Sequence, residues 1–376
     1  MTTTMSRAAV LRAPNAGLSV EDVRLDAPRA GEVLVRIAAA GVCHSDRLFM
    51  TGDRPIRMPS VIGHEGAGVV EAVGEGVDSL VPGDHVIQLF VAPCGRCHAC
   101  TRGRPVFCDG NPMSFDGTML DGTYRFHDEA GDIGTGARLG SYSTHTVSPE
   151  QALVKIRRDL PFDVASLIGC GVTTGLGAAI DVAEVRPGDR VAVMGVGGVG
   201  ASAILGAALA GASSVIAVDV KPNKLEFARM IGATHGVDAT QIDVVEAIRG
   251  LTDGYGADKV IIAIDHVGGA HIRLAVEALD TGGRAVIAGL PEAGLESMPV
   301  PPGLLLRQRS IVGTLYGGLD PRASVLRAVE LAASGRLDLG QLITKRYALD
   351  EINVAFDDLV AGRNLRGVII NAGGEQ

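Results

Sequence analysis

Hydrophobic positions along the chain fall into two rhythms. From Val10 to about Ile156, short runs rich in β-branched residues are broken by frequent turns, as in Val33 to Ile37, Gly68 to Val73, His85 to Leu89 and Tyr142 to Val147. That pattern predicts an all-β, barrel-like lobe. From about Val172, apolar runs at Val191 to Met194, Val215 to Val220, Val260 to Ile264 and Arg284 to Ala288 alternate with helical segments at Ala201 to Ala210, Lys224 to Ile231 and His271 to Leu279. Such alternation predicts a parallel sheet with crossover helices. The rhythm stops near Leu315 to Gly318, and a helix expected over Arg322 to Ser334, with Gly335 as its stop, leads into a final segment. The glycine-rich stretch from Asp109 to Gly140 fits neither rhythm.

At 376 residues the chain is long enough for two domains, one of which can be discontinuous. Hydrophobic residues make up 47% and charged residues 20%, an ordinary globular balance. A net charge of −9 and the lack of any dense basic run exclude a nucleic-acid binder, whose affinity rests on Lys and Arg contacts to phosphate. Met1 to Arg12 holds no apolar core of signal-peptide length, so the expected compartment is the cytoplasm. Val191 to Val218 runs 28 residues without a charge, yet six glycines divide it into strand, turn, helix and strand, which argues against a membrane span.

Six cysteines in such a chain read as metal ligands or reactive thiols before they read as disulfides. Cys94, Cys97, Cys100 and Cys108 form a CxxCxxCx7C array in a segment rich in Gly, Pro and Arg. Four thiolates saturate a tetrahedral zinc ion and leave it no open position, so this site is structural. An iron–sulfur cluster is the rival use of four thiolates, and four unrelated buried thiols the bland one. His98, between two of the cysteines, is expected to be a bystander.

The other two cysteines lie far apart. Cys43 sits in Gly41-Val42-Cys43-His44-Ser45-Asp46, His64 follows in Gly63-His64-Glu65, and Cys170 comes much later in Gly169-Cys170-Gly171. Singly, each has a core explanation; Ser45, Asp46 and Glu65 beside them supply the polar support that a metal-bound histidine needs. Gly63-His64-Glu65-x-x-Gly68-x5-Gly74-x-x-Val77 resembles the zinc signature of the medium-chain alcohol dehydrogenases, and the four-cysteine array resembles that family's structural-zinc loop. The resemblance spans essentially the whole chain. It implies that Cys43, His64 and Cys170 hold a catalytic zinc, with Glu65 behind the metal and Asp46 orienting His64. Two zinc ions per subunit follow. It also implies a GroES-like β-barrel catalytic domain over 1–171 and 316–376, a Rossmann doubly wound α/β domain over 172–315, and a homodimer paired through the strand near Ser310 to Tyr316.

Gly195-Val196-Gly197-Gly198-Val199-Gly200 is a GxGxxG turn, preceded by a β-branched run and followed by an Ala/Leu-rich helix pattern, so its N–H groups can face a pyrophosphate. Asp219 ends the next strand nineteen residues after Gly200, where a carboxylate accepts ribose hydroxyls and repels a 2′-phosphate. NAD is therefore favoured over NADP. By resemblance Lys224 is a second ribose contact, His44 and Arg366 are pyrophosphate contacts, and Phe90, Met113 and Leu139 surround the substrate, an apolar slot for a primary or aromatic alcohol or aldehyde. Arg138 falls beside them and could face an anionic substrate group.

The reaction implied is reversible hydride transfer between alcohol and nicotinamide, with Ser45 as the hydroxyl that relays the proton. Leu48 stands where many family members end that relay with a histidine. Three alternatives stay open: a nicotinoprotein whose NAD(H) never leaves, a glutathione-adduct formaldehyde dehydrogenase, and a catalytically silent dinucleotide-binding relative. The second is disfavoured because Asp109-Gly110-Asn111-Pro112-Met113 lacks the arginine those enzymes carry. The third is disfavoured because a silent protein has no use for an open metal site.

Overall fold

The computed structural model describes residues 3–111, 114–292, 294–298, 301–318 and 320–371. The chain divides into two compact units, Met1–Cys170 with Asp320–Gln376, and Gly171–Leu319.

In the first unit, Thr4–Leu11, Leu18–Leu25, Phe126–Asp128, Gly131–Thr135 and Ser60–Val61 close a small barrel. Beside it lies a seven-stranded sheet in the order Leu153–Ile156, His85–Gln88, Gly66–Val73, Glu32–Gly41, Arg366–Ile370 and Ile343–Ala348, with His145–Pro149 also paired to Glu32–Gly41. Val33, Val35 and Ile37 alternate along the longest strand and enter one core with Val70, Val86, Tyr142 and Phe356. Two of the barrel strands come from the glycine-rich excursion, which the hydrophobic pattern did not resolve. Phe126 and Ile133 enter the barrel core but are too few to make a periodic stripe, and a buried ion pair supplies a further anchor. Arg125 donates to both carboxylate oxygens of Glu32 at 2.8 and 2.6 Å, to Asp121 at 2.9 Å, to Thr123 Oγ1 at 2.6 Å and to the Tyr124 carbonyl at 2.9 Å. With its side chain 1% exposed, it ties the excursion to the strand Glu32–Gly41. Arg125→Met is therefore expected to destabilise the fold by about 3 kcal/mol or more in urea unfolding, because it leaves Glu32 charged and buried without its partner; a change under about 0.5 kcal/mol would contradict this.

The second unit holds a six-stranded parallel sheet in the order His235–Asp238, Ser214–Asp219, Arg190–Met194, Ala257–Ile262, Leu279–Ile287 and Ser310–Gly313. Numbered along the chain that order is 3-2-1-4-5-6, the Rossmann doubly wound arrangement, whose connections reverse direction beside Arg190–Met194. Val191, Val193, Val215, Ala217, Val260 and Ile262 are all essentially buried, as expected where helices cover both faces. The charge-free stretch Val191 to Val218 is thus two core strands and the helix Gly198–Leu209 between them.

One described helix, Phe162–Val182, is long and apolar enough to cross a membrane, but 83% of its apolar window is buried inside the protein. Its packed faces explain why no amphipathic period marked it in the sequence.

Candidate functional site

Three distant stretches converge in the first unit. Cys43 caps the N-terminus of the helix His44–Thr51 with extended backbone, His64 lies just before the strand Gly66–Val73, and Cys170 sits in a π-helical turn, Ile168–Val172. Turns of that kind carry one extra residue and often mark functional positions. Ligand atoms of Cys43, His64, Glu65 and Cys170 all lie within 4.8 Å of one another.

Each of these side chains is held from behind. Asp46, 1% exposed, accepts from His64 Nδ1 at 3.0 Å and from the Gly63 amide at 3.3 Å through the same oxygen. With Nδ1 so engaged, Nε2 is the ring nitrogen free for a ligand. Gly63 is required in this turn: its φ is +96° and a Cβ there would come within 2.8 Å of Tyr142. Glu65 and Arg366 form a buried ion pair, and Glu65 Oε1 and Arg366 Nε have no hydrogen-bond partner among the described residues. Burial pushes the Glu65 carboxyl up to about 7 against the opposing pull of Arg366. The Ser45 hydroxyl lies 3.7 Å from Cys43 Sγ, and the Phe90 ring meets His64 edge-on, with centroids 5.5 Å apart.

The donor set fits a zinc ion. A hydrogen bond from Cys170 draws the Cys43 thiol well below its usual range and holds Cys170 well above it, so one sulfur is already thiolate-like. Burial disfavours imidazolium at His64, but Asp46 and Cys43 outweigh it and raise its pKa. Two sulfurs and one imidazole make three ligands of a tetrahedral site with a fourth position left for substrate, and the partnerless carboxylate oxygen of Glu65 in the same cluster is the feature a cation would satisfy.

The second cluster is closed. Sulfur atoms of Cys94, Cys97, Cys100 and Cys108 lie within 4.8 Å of one another, and the Cys94 amide donates to Cys108 Sγ at 3.2 Å. Backbone N–H groups of Cys100 and Gly110 draw Cys97 down to about 6, whereas burial and the neighbouring Cys97 push Cys100 up to about 12. A cation that takes all four as thiolates would relieve that spread. His98 is exposed and outside the group.

In the second unit, the turn after Arg190–Met194 fits a dinucleotide pyrophosphate. Gly197 has nothing within 4 Å of a would-be Cβ, which leaves the backbone open to close approach. A Cβ on Gly200 would lie 1.8 Å from the Gly195 carbonyl, so only glycine lets the helix Gly198–Leu209 start this tightly. No side chain caps that helix, and the first amides, those of Gly198 and Val199 among them, are left for an anion. Asp219 accepts from the Val196 amide at 2.7 Å and from the Lys221 amide at 3.0 Å, which holds its carboxylate at the strand end with lone pairs to spare for ribose hydroxyls.

Comparison with known proteins identifies the family. Residues 29–158 match the alcohol dehydrogenase GroES-like domain and residues 198–334 the zinc-binding dehydrogenase domain. An NDMA-dependent alcohol dehydrogenase from Amycolatopsis methanolica is 40% identical over 98% of this chain and 99% of its own length. The chain belongs to the zinc-dependent medium-chain alcohol dehydrogenase family. A benzyl alcohol dehydrogenase from Acinetobacter calcoaceticus superposes with a TM-score of 0.92 at 32% identity, covering 99% of this chain and 100% of that one. An S-(hydroxymethyl)glutathione dehydrogenase from Escherichia coli is 39% identical over 97% of this chain and 99% of its own length.

Within this dehydrogenase the structure places most of the residues singled out in the sequence around the two clusters and the glycine turn. Leu139 is fully buried and packs with Ala92 and Ala152 against Phe90, so it backs that ring. Met113 lies outside the described residues. Lys224 lies in the helix Pro222–Met230, just beyond Asp219. His44 opens the helix that follows Cys43. Arg366, expected on the pyrophosphate, is 5% exposed and carries the ion pair with Glu65 that the sequence did not announce. Arg138 donates to the Thr118 carbonyl at 3.2 Å and to Asn111 Oδ1 at 3.3 Å; with Ala137 it adopts a left-handed backbone rare outside glycine. It thus clamps the excursion near Phe90. Sequence reasoning missed Tyr142 as a partner of the site, since nothing in its spacing links it to Asp46.

Proposed function

We propose that this dehydrogenase interconverts a primary or aromatic alcohol and its aldehyde with NAD as hydride acceptor, through Cys43, His64 and Cys170 as ligands of a catalytic zinc. The observation carrying this reading is the convergence of those three side chains, from stretches separated by up to 127 positions, beside the Ser45 hydroxyl. When bound, zinc supplies Lewis-acid polarisation of the substrate oxygen and NAD supplies the hydride-accepting ring.

The chain's own residues do the rest. Asp46 fixes the His64 tautomer and ring plane. Phe90 offers an apolar wall beside His64, suited to an aryl or alkyl group, in line with the similarity to a benzyl alcohol dehydrogenase. Ser45 accepts the substrate hydroxyl proton and passes it outward; Leu48 cannot carry it further, so the relay ends in water. Ser45→Ala is expected to lower kcat by about 10²- to 10⁴-fold with both metals retained; an unchanged kcat would remove Ser45 from the relay. Gly195 to Gly200 hold the pyrophosphate, and Asp219 selects the unphosphorylated ribose.

Similarity to an NDMA-dependent relative favours a second reading, in which NAD(H) stays bound and an external acceptor recycles it. An alcohol panel assayed with and without added NAD, beside denaturation of desalted protein to count released cofactor, separates the two. Protein carrying both metals that reduces no NAD and releases no cofactor would sink both readings. We further infer a homodimer through the edge strand Ser310–Gly313, where Val312 is exposed, with sedimentation velocity as its check. All six cysteines are free, which suits a reducing, cytoplasmic setting.

A further inference from the structure

Asp46 has a second oxygen. Oδ1 takes His64 Nδ1 and the Gly63 amide, while Oδ2 accepts the Tyr142 hydroxyl at 2.8 Å. Tyr142 is fully buried, and its hydroxyl also lies 3.1 Å from the Gly41 carbonyl. A phenol has a single proton to donate, and the shorter contact to a carboxylate is the stronger of the two. Burial first, and then the nearby Asp46 and Cys43, push the Tyr142 pKa far above its usual range, so the proton stays on the phenol as a donor.

The ring is held as firmly as the hydroxyl. The Tyr142 amide donates to the Ile62 carbonyl at 3.1 Å and its carbonyl accepts the Ala9 amide at 2.8 Å, so its backbone is locked between the strand Thr4–Leu11 and the residue that follows Ser60–Val61. Its ring packs edge-on against Phe356 with centroids 5.9 Å apart. Without the phenol, the Asp46 carboxylate would keep contacts on one oxygen only and could rotate about its terminal torsion, which is broad. His64 would lose its fixed plane with it.

We propose that Tyr142 is a positioning residue for the catalytic metal ligand His64, acting through Asp46: its hydroxyl sets the carboxylate plane, and the carboxylate sets the imidazole. The proposal rests on the reading of Cys43, His64 and Cys170 as a metal site. Partners behind a metal-bound histidine typically change affinity or activity by about 10- to 100-fold when removed, and a residue one step further out is placed at the lower end, about 10-fold.

The test follows metal release, not turnover. Purified holoprotein, its metal content measured first, is exposed to a chelator, and loss of the ion held by Cys43 is timed in the parent, Tyr142→Phe, Asp46→Ala and the double variant. Cobalt-substituted samples report ligand geometry through their visible bands. Tyr142→Phe is expected to release the ion about 10-fold faster and to shift the cobalt bands, whereas Asp46→Ala and the double variant release it at equal rates, because Tyr142 has nothing left to act through. Should the single variant leave Asp46 too poorly paired to fold, the comparison of Asp46→Ala with the double variant still decides, since removing both partners spares the unpaired charge. Unchanged release and bands in Tyr142→Phe, or a further loss in the double variant, would overturn the proposal alone. A parent that binds no ion through Cys43 would overturn it together with the metal-site reading.

Discussion

Cys43→Ser and Cys97→Ser are expected to remove different metal ions with opposite consequences. The first leaves the chain folded with one ion and lowers kcat/KM by at least about a thousand-fold, because Lewis-acid stabilisation is worth several kcal/mol at the transition state and about 4 kcal/mol is three decades of rate. The second leaves the cluster of Cys43, His64 and Cys170 with its ion but opens the loop Cys94 to Cys108. That loop has little apolar support: Cys94 and Cys97 are half-buried and Gly95 and Arg96 exposed. Its order comes from metal ligation, so stability should fall by about 3 kcal/mol or more, roughly 4 °C in thermal midpoint for a chain of this size. Metal analysis, steady-state kinetics and thermal unfolding on the same two preparations distinguish the roles. Equal loss of rate and of stability in both variants would refute the assignment of one site to chemistry and the other to architecture.

Asp219→Asn is expected to raise KM for NAD by roughly 10- to 100-fold while narrowing or reversing the preference against NADP, since hydrogen bonds to a charged acceptor contribute about 1.5–3 kcal/mol each way. The choice of asparagine matters. Asp219 also accepts the Val196 and Lys221 amides, and Asp219→Ala would orphan a buried donor inside the glycine turn itself. Asparagine keeps an acceptor for one of those two amides and turns an N–H₂ toward the other, so comparison with alanine, which loses both acceptors, separates the part of the effect that belongs to the turn from the part that belongs to the ribose. Initial rates against both cofactors give the ratio. Unaltered cofactor discrimination in Asp219→Asn would show that the carboxylate does not read the ribose.

The parallel half was legible because its signals are local. A β-branched run, the four glycines from Gly195 to Gly200 and an Ala/Leu-rich segment sit within twenty residues, and the structure places the helix at Gly198–Leu209 where Ala201 to Ala210 was expected. The four-cysteine loop was legible for the same reason. Its ligands span 15 residues. Cys170 was legible only through the family resemblance, because it stands inside a glycine-rich helix buried on most sides, where no hydrophobic period exists to read. The strands Phe126–Asp128 and Gly131–Thr135 escaped for a different cause: they are short, and their anchor is Arg125 against Glu32, 93 positions away. Long-range polar pairs of this kind, Tyr142 with Asp46 and Glu65 with Arg366 among them, leave no periodic trace in sequence. The last strand of the parallel sheet ends at Gly313, short of the expected Tyr316, whose left-handed backbone breaks extended pairing.

The central claim is that Cys43 Sγ, His64 Nε2 and Cys170 Sγ share one open zinc ion. Anomalous diffraction at the zinc absorption edge, from crystals grown with the metal, tests it most directly. Two peaks per chain are expected, one of them about 2.3 Å from both sulfurs and about 2.0–2.1 Å from the imidazole nitrogen, with solvent or substrate at the fourth corner. A single peak at the four-cysteine loop, with the other three side chains turned away from one another, would contradict it.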